Sequence, residues 1–264
     1  MIQEISSLQN PKIKNIKKLE KSSARNEQQL FVVEGMKELC LAASAGYSFF
    51  QLYICSDILT QTEEYNLAML PSEVETFEIS REVYEYVAYR GSTEGVFGLL
   101  NLQEKTLDKL VLPENPLVLV IEGVEKPGNL GAMLRTADAT KVDAVIVCNP
   151  RTDFFNPNVV RSSIGTVFTN QIANCSTAEA IDFLQKKNIS YYAASLAAKQ
   201  FYYEKDFIKP TAIVVGTEAT GLTPEWTVTS ENAIKIPMLG KIDSLNVSVS
   251  AAVLLYEAVR QRTF

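Results

Sequence analysis

Three short stretches of the sequence carry residue types that could perform chemistry, and each follows an apolar run. The first is "EKPGNLGAMLRTADA" at 125–139, where glycines allow a ligand to approach the backbone closely. Asn129 is placed to cap the helix that begins here, and a helix start favours anions. Arg135 follows within that helix. The stretch therefore predicts an anion site, and the alternative is a glycine turn in which Arg135 pairs with Asp138 on the surface.

The second stretch is "VVGTEATGLTPEW" at 214–226. Gly216 and Gly221 have the separation of the two glycines in a Walker A motif, but Leu222 stands where that motif needs lysine. A nucleoside triphosphate would lack its cation here, which excludes a P-loop. What remains is a glycine-flanked loop that carries one carboxylate, Glu218, and the alternative is a solvated acid in a turn.

The third stretch is "IPMLGKIDSLNVSVSAA" at 236–252. It predicts an irregular segment followed by a long helix, with Ser244 and Asn246 near the helix start. Polar side chains at that position are ordinary helix caps, so this stretch taken alone is weak.

The absence of histidine narrows the chemistry that these loops could support. With no histidine in 264 residues, Ser-His-Asp and Cys-His catalysis are excluded, and catalysis would use carboxylates, Lys, Arg, Tyr, Asn or backbone groups. The cysteines lie far apart without C-x-x-C spacing, which argues against a zinc site or a disulfide framework. We therefore expect no metal. The cysteines are Cys40, Cys55, Cys148 and Cys175.

The elements that must position the three loops form a repeating pattern. Runs rich in Val and Ile alternate with helical segments, which predicts a parallel sheet covered on both faces. Ligands of such sheets bind beyond the carboxyl ends of the strands, where the three stretches lie. The runs are at 117–121, 143–148, 189–196, 211–216 and 233–237.

The front of the chain has a different organisation. The strand "LFVVEG", a helix ending near Gly46, the strand "FQLYIC" and later short elements predict a small α/β unit. We place this N-terminal domain at 1–102, a linker broken by prolines at 103–116, and the C-terminal domain at 117–264. No apolar run approaches the roughly 18 residues of a spanning helix, and no signal-peptide core is present, so we expect a cytoplasmic protein without membrane contact.

The charge is unevenly distributed. The net charge of −6 opposes binding to a polyanion, yet residues 1–25 have a local excess of basic side chains. This segment could bind a nucleic acid, and the alternative is an ordinary solvated helix face. The residues predicted to contact it are Lys12, Lys14, Lys17, Lys18 and Arg25.

Taken in order, "PGNLGAMLRTADA", "VVGTEATGLTPEW" and "IPMLGKIDSLNVSVSAAVLLYEA" resemble the three signature motifs of the SpoU (TrmH) branch of the SPOUT RNA methyltransferases. The resemblance covers 117–264 closely, and the front of the chain more loosely resembles the family's ribosomal-protein-like RNA-binding domain. It implies a parallel-sheet α/β domain with a C-terminal trefoil knot, a homodimer through that domain, and methyl transfer from S-adenosylmethionine to a ribose 2′-hydroxyl of ribosomal or transfer RNA. An alternative is a catalytically silent RNA-binding or assembly factor. A nucleotide-dependent oxidoreductase would lack its G-x-G-x-x-G fingerprint.

The resemblance also implies roles for individual residues. The expected catalytic residues are Asn129, Arg135, Glu218, Ser244 and Asn246. The expected cofactor-binding residues are Leu196, Gly216, Thr217, Ile236, Met238 and Leu245.

Arg135 matches an arginine that has been proposed as the base in this family. Holding it neutral near pH 7 would cost on the order of 7 kcal/mol, so we expect it to stay charged, grip a phosphate and stabilise the developing oxyanion. One departure from the motif is Lys126, which stands where the family commonly has Asp.

Overall fold

The structure is a computed structural model, and it describes residues 3–89, 94–217, 221–227 and 232–263. The chain divides into two compact units, one of 1–104 with 153–169 and one of 105–152 with 170–264. Among the helices of the described residues, none combines the length and the apolar composition that crossing a bilayer requires.

The strands of the described residues are β1 (Gln3–Ile5), β2 (Leu30–Glu34), β3 (Phe49–Ile54), β4 (Glu75–Ile79), β5 (Val96–Asn101), β6 (Leu117–Glu122), β7 (Ala144–Cys148), β8 (Ile172–Cys175), β9 (Ser190–Ala194), β10 (Gln200–Phe201), β11 (Thr211–Val215) and β12 (Ala233–Lys235). The α-helices are α1 (Pro11–Lys18), α2 (Ser22–Gln28), α3 (Met36–Ser44), α4 (Gln61–Leu67), α5 (Arg81–Val87), α6 (Pro127–Ala139), α7 (Pro157–Ser162), α8 (Thr166–Thr169), α9 (Thr177–Lys186) and α10 (Val247–Thr263). Short 3₁₀ helices span Leu107–Lys109, Tyr202–Glu204 and Pro224–Trp226.

The first unit is built on a mixed sheet with the strand order β1-β4-β3-β5-β2. β1, β4 and β3 are parallel, while β5 runs antiparallel to both of its neighbours. α3 ends at Ser44, and Gly46 follows with a φ of +74°, a left-handed conformation that glycine adopts without strain. The predicted small α/β unit and its glycine helix stop are confirmed.

The segment 153–169 belongs to this first unit because its aromatic rings pack there. The ring centroid of Phe155 lies 4.4 Å from that of Phe31, and the centroid of Phe168 lies 5.0 Å from that of Tyr47. Periodicity along the chain cannot show which rings meet in space. The predicted domains are contiguous stretches of sequence, so residues 153–169 were assigned to the C-terminal domain.

Arg25 is a structural residue of the first unit. Only 2% of its surface is exposed, and its guanidinium donates to the carbonyl oxygens of Leu19 at 2.7 Å and Glu20 at 2.8 Å. Its Nε also donates to Asp153 Oδ2 at 3.1 Å. A buried guanidinium with these partners cannot contact RNA, so grouping Arg25 with the RNA-binding residues was wrong.

The second unit is built on a parallel sheet with the strand order β10-β12-β9-β11-β6-β7-β8. β6, β7 and β11 are buried along their whole length, as expected for central strands covered on both faces. The predicted parallel sheet is confirmed. The edge strands β8 and β10 were not predicted because they are short and carry few apolar residues.

The stretch predicted as a linker is packed on the second unit from residue 105 onward. Leu107, Leu110 and Leu112 contact the core formed by the sheet and α9, and the Asn174 N–H donates to the Lys105 carbonyl oxygen at 2.8 Å. The prolines of this stretch interrupt secondary structure. Its leucines nevertheless anchor it.

We expect Asp153→Ala to destabilise the first unit by about 2 kcal/mol, because it leaves a buried guanidinium without its carboxylate. Solvent reaches Asp153, whose side chain is 33% exposed, so the loss stays below that of a fully buried pair. Urea unfolding followed by circular dichroism measures it. The control is Asp182→Ala, which removes an exposed ion pair with Lys186 on α9 and should change stability by less than about 0.5 kcal/mol. Equal losses in the two variants would contradict the prediction.

Candidate active site

A cavity of about 440 Å³ lies in the second unit, where β9, β11 and β12 end. Parallel strands present their carboxyl ends at one edge of a sheet, so loops far apart in the sequence meet there. The volume falls within the range of about 300–1,000 Å³ that is usual for small-molecule sites. The start of α10 completes the lining.

The six residues expected to bind the cofactor all line this one cavity: Leu196, Gly216, Thr217, Ile236, Met238 and Leu245. Ser244, expected to be catalytic, lines it as well. Leu196 is 64% exposed, which places it at the rim, whereas the lining residue Ile234 is fully buried. The structure thus gathers residues from three separate loops at one place.

Gly216 and Gly221 stand side by side at the wall of the cavity. The Thr217 N–H donates to the Gly221 carbonyl oxygen at 3.2 Å, and the Gly221 N–H donates back to the Thr217 carbonyl oxygen at 3.0 Å. A Cβ atom at Gly216 would lie 2.5 Å from the Gly221 carbonyl oxygen, so no side chain fits there. Gly216 serves this close backbone approach and Gly221 has a φ of +69°, which explains a Walker-like separation without a phosphate-binding loop.

The lining suits an adenosine-containing ligand. Ile236, Met238 and Leu245 offer apolar contact for an aromatic base, and the adjacent backbone offers hydrogen-bonding groups. The missing Cβ at Gly216 leaves room for the backbone of Gly221 and Leu222, which line the same cavity. The residues present therefore fit S-adenosylmethionine.

Asn129 and Asn246 are brought together beside this site. The Asn246 side-chain amide donates to Asn129 Oδ1 at 3.2 Å, and Asn246 Oδ1 accepts from the Ser248 N–H at 3.0 Å, which caps α10. Asn129 itself is not a helix cap. α6 begins at Pro127, whose fixed φ suits the first helical position, and the capping position is Lys126, so the predicted cap was wrong.

Arg135 is not brought to the cavity of its own chain. It lies six residues after Asn129 on α6, so it is roughly 9 Å further along the helix axis and about 120° around it. It is exposed and does not line the cavity, and its side chain forms no ion pair with any residue that the structure describes. The surface pairing with Asp138 considered from the sequence is therefore not formed. Glu218, the remaining expected catalytic residue, lies outside the described residues.

One buried carboxylate was missed by the sequence reasoning. Glu122, the last residue of β6, is 3% exposed. It accepts from the Thr223 N–H at 2.7 Å, the Thr223 hydroxyl at 2.9 Å and the Trp226 indole N–H at 2.9 Å, and also from the Thr177 hydroxyl. A charged residue that closes an otherwise continuous apolar strand was the signal that could have found it.

The lysines expected to bind RNA divide into two groups. Lys14 and Lys18 are exposed one turn apart on α1. Lys12 lies 3.7 Å from the Glu75 carboxylate and 4.5 Å from the centre of the Phe77 ring. Lys17 pairs with Glu20 at 2.5 Å. Lys14 and Lys18 therefore offer the stronger positive surface.

The first unit has its own cavity, of about 300 Å³, and its lining is acidic. Glu20, Glu34, Glu38 and Glu94 line it together with two cationic side chains, Lys17 and Arg161. Burial raises the pKa of the Glu38 carboxyl, and the nearby Glu94 carboxylate adds to this. The excess of carboxylates makes it unsuitable for RNA phosphates.

Comparison with known proteins assigns both parts of the chain. Residues 116–256 match the model of the SpoU rRNA Methylase family, and residues 10–98 match the MRM3-like substrate binding domain. The chain is 28% identical to the 23S rRNA (guanosine(2553)-2′-O)-methyltransferase RlmP of Bacillus subtilis, over 97% of this chain and 98% of that protein.

Solved structures agree with this assignment. A crystal structure of an RNA 2′-O ribose methyltransferase has a TM-score of 0.88 at 37% identity, covering 99% of this chain and 100% of that one. The AdoMet-bound rRNA methyltransferase from Sinorhizobium meliloti has a TM-score of 0.89 at 28% identity, covering 98% of each chain. The chain therefore belongs to the SpoU rRNA methylase family: it is an RNA 2′-O-methyltransferase whose methyl donor is S-adenosylmethionine.

Proposed function

We propose that this protein binds S-adenosylmethionine in the cavity at the carboxyl ends of β9, β11 and β12 and methylates a ribose of ribosomal RNA. The observation that carries the proposal is the convergence of six expected cofactor residues, from three loops, on one cavity of suitable size. The relative from Bacillus subtilis acts on a guanosine of 23S rRNA, which favours ribosomal over transfer RNA as the substrate class. We also propose that the protein acts in the cytoplasm, where ribosomal RNA is found.

Some residues of the chain bind the cofactor, and others stabilise the charge that develops in the reaction. Ile236, Met238 and Leu245 hold the adenosine, and the backbone at Gly216 and Thr217 supplies its polar contacts. When bound, S-adenosylmethionine supplies an electrophilic methyl group. These residues would hold the donor so that its methyl group passes from sulfur to the ribose oxygen, and the hydroxyl proton would leave to solvent.

Arg135 serves a site that two copies of the chain build together. Its guanidinium is exposed and lies away from the cavity of its own chain. α6 packs beside α10, and Val249 and Tyr256, seven residues apart on one face of α10, are 47% and 54% exposed. A homodimer through this face of the C-terminal domain would cover the apolar side chains and bring Arg135 to the partner's cavity.

In that position Arg135 acts as a fixed positive charge. It stays ionised, binds the phosphate next to the target nucleotide, and stabilises the negative charge that develops on the ribose oxygen. The hydrogen bond between Asn246 and Asn129 joins the starts of α10 and α6 within each chain. Ser244 at the cavity and Glu218 would orient the ribose. The trefoil knot that the family resemblance implies stays a prediction.

The catalytically silent alternative is favoured by one observation, the absence of Arg135 from the residues that line the cavity of its own chain. If the protein acted as a monomer, its site would lack the guanidinium. Incubation with ribosomal and transfer RNA and labelled S-adenosylmethionine separates the two functions. We expect label at a single ribose 2′-oxygen of ribosomal RNA, and no label in any RNA would support the silent factor.

We expect Arg135→Ala to lower kcat for RNA methylation by at least about 100-fold, because the developing negative charge loses its stabilising cation. The Kd for S-adenosylmethionine, measured by calorimetry, should change less than about twofold. Arg135→Lys is the matched control and should recover part of the rate, since it keeps the charge but not the planar fork. A large loss of cofactor affinity in a folded Arg135→Ala protein would contradict this role.

Mixed dimers test whether Arg135 acts on the partner's site. One protomer carries Arg135→Ala and the other carries Gly216→Val, which crowds the cavity wall. Each homodimer should be inactive. The mixed dimer combines an intact cavity with an intact arginine from the other chain, so we expect roughly half of the wild-type activity per dimer, given independent sites. An inactive mixed dimer would show that Arg135 works only within its own chain.

We expect Lys14→Ala combined with Lys18→Ala to weaken ribosomal RNA binding about tenfold near 0.15 M salt, because two phosphate contacts are lost. The slope of log K against log salt concentration should fall by about 2. Lys186→Ala combined with Lys187→Ala removes the same charge from exposed positions at the end of α9 and is the control. Equal effects of the two double variants would point to nonspecific attraction alone.

A further inference from the structure

The carboxylate of Glu122 is buried where charge is costly, and its contacts show why it is tolerated. A backbone N–H and an indole N–H can only donate, and those of Thr223 and Trp226 occupy Oε2 and Oε1, respectively. The Thr223 hydroxyl at 2.9 Å and the Thr177 hydroxyl also bond to Oε1. Several donors directed at one buried group stabilise the side chain in that single position.

These donors lie on a segment that forms part of the cavity wall. Gly221, Leu222 and Thr227 line the cavity, and Thr223 and Trp226 lie between Leu222 and Thr227 in the sequence. Glu122 is not among the lining residues. Its hydrogen bonds therefore hold the lining segment from behind.

Trp226 also holds the segment 221–227 through apolar contacts. Its side chain is fully buried, and its ring meets the Tyr191 ring edge-on with centroids 5.2 Å apart. The hydroxyl of Thr177, the first residue of α9, also donates to this carboxylate. Glu122 thus joins the end of β6, the start of α9 and the segment 221–227.

We propose that Glu122 is a positioning residue for cofactor binding: through Thr223 and Trp226 it keeps the segment 221–227 in place as a wall of the S-adenosylmethionine cavity. The inference rests on the proposed cofactor site. A wall that is ordered before binding adds no ordering cost when the ligand arrives, whereas an untied wall must be ordered by the ligand. Affinity for the cofactor then depends on a residue that does not touch it.

Glu122→Gln tests the proposal because it keeps the shape of the side chain but replaces one acceptor oxygen by an NH₂ group. That group would face an N–H donor of Thr223 or Trp226. We expect the Kd for S-adenosylmethionine, measured by calorimetry on the full-length protein, to rise about tenfold. Tyr53→Phe is the matched control, since it removes a buried 2.8 Å hydrogen bond to Gln51 in the other unit, and it should leave this Kd unchanged.

A second readout needs no catalysis, because Trp226 is the single tryptophan of the chain. Acrylamide should quench its fluorescence weakly in the wild type and at least threefold more strongly in Glu122→Gln without cofactor. Saturating S-adenosylmethionine should restore weak quenching in the variant, because binding and ordering of the wall are linked. A change in overall stability alone would not be reversed in this way far below the unfolding temperature.

The outcomes separate this inference from the proposed function. If the wild type binds S-adenosylmethionine and a folded Glu122→Gln protein shows wild-type Kd and quenching, the positioning role is wrong. If Glu122→Gln does not fold, Thr223→Val and Trp226→Phe decide, each removing one donor, and wild-type Kd values in both overturn the role. If the wild type itself does not bind S-adenosylmethionine, the proposed cofactor site fails instead.

Discussion

Parallel pairing of β6, β9, β11 and β12 is the constraint on which the site depends. Because these strands run in the same direction, the segments that follow Glu122, Ala194, Val215 and Lys235 all leave the sheet at one edge. Residues as distant in the sequence as Leu196 and Leu245 thereby line one cavity. The strands need no functional side chains on their faces, and they can be apolar throughout. The chemistry is left to the loops.

Much of this arrangement could be predicted because it depends on short stretches of the sequence. The Val-rich runs predict the buried strands, and the loops after them predict the edge at which a ligand binds. Leu196, Gly216 and Met238 were expected at the cofactor site through family resemblance, and the cavity collects them. Gly216 has to be glycine because the Gly221 backbone touches it, and Gly221 favours glycine because its φ is +69°.

What could not be predicted depends on contacts between distant segments. Arg25 looks like one more basic residue of a charged stretch, and only its contact with Asp153 shows that it is buried. Glu122 closes an apolar strand, which is a local signal, but its donors Thr223 and Trp226 are far away in the sequence. A buried charged side chain needs hydrogen-bonding partners, and here those partners come from distant parts of the chain. No pattern within a short window of sequence reports them.

The charge distribution shows how an acidic protein can still bind RNA. A net charge of −6 weakens long-range attraction, but screening limits that repulsion to roughly 8 Å at physiological salt. Over that distance the local sign decides, and Lys14 with Lys18 presents an exposed positive turn while Lys12 and Lys17 are partly neutralised by carboxylates. The acidic cavity of the first unit disfavours phosphates nearby. Because the rest of the acidic surface repels phosphates, RNA is favoured to bind at Lys14 and Lys18 in one orientation. Diffuse attraction of any RNA to the whole surface is disfavoured.

The separation of Arg135 from its own cavity has a further physical consequence. Helix geometry fixes the offset between Asn129 and Arg135 on α6 at roughly 9 Å of rise, about 1.7 turns, combined with a rotation of about 120°. In the proposed dimer, a site that uses both the cavity and the guanidinium would draw them from different chains. In that dimer, cofactor binding would use one chain and methyl transfer two, so the two steps would respond differently to dilution. Assembly of the proposed dimer would then control methyl transfer without controlling access of the methyl donor.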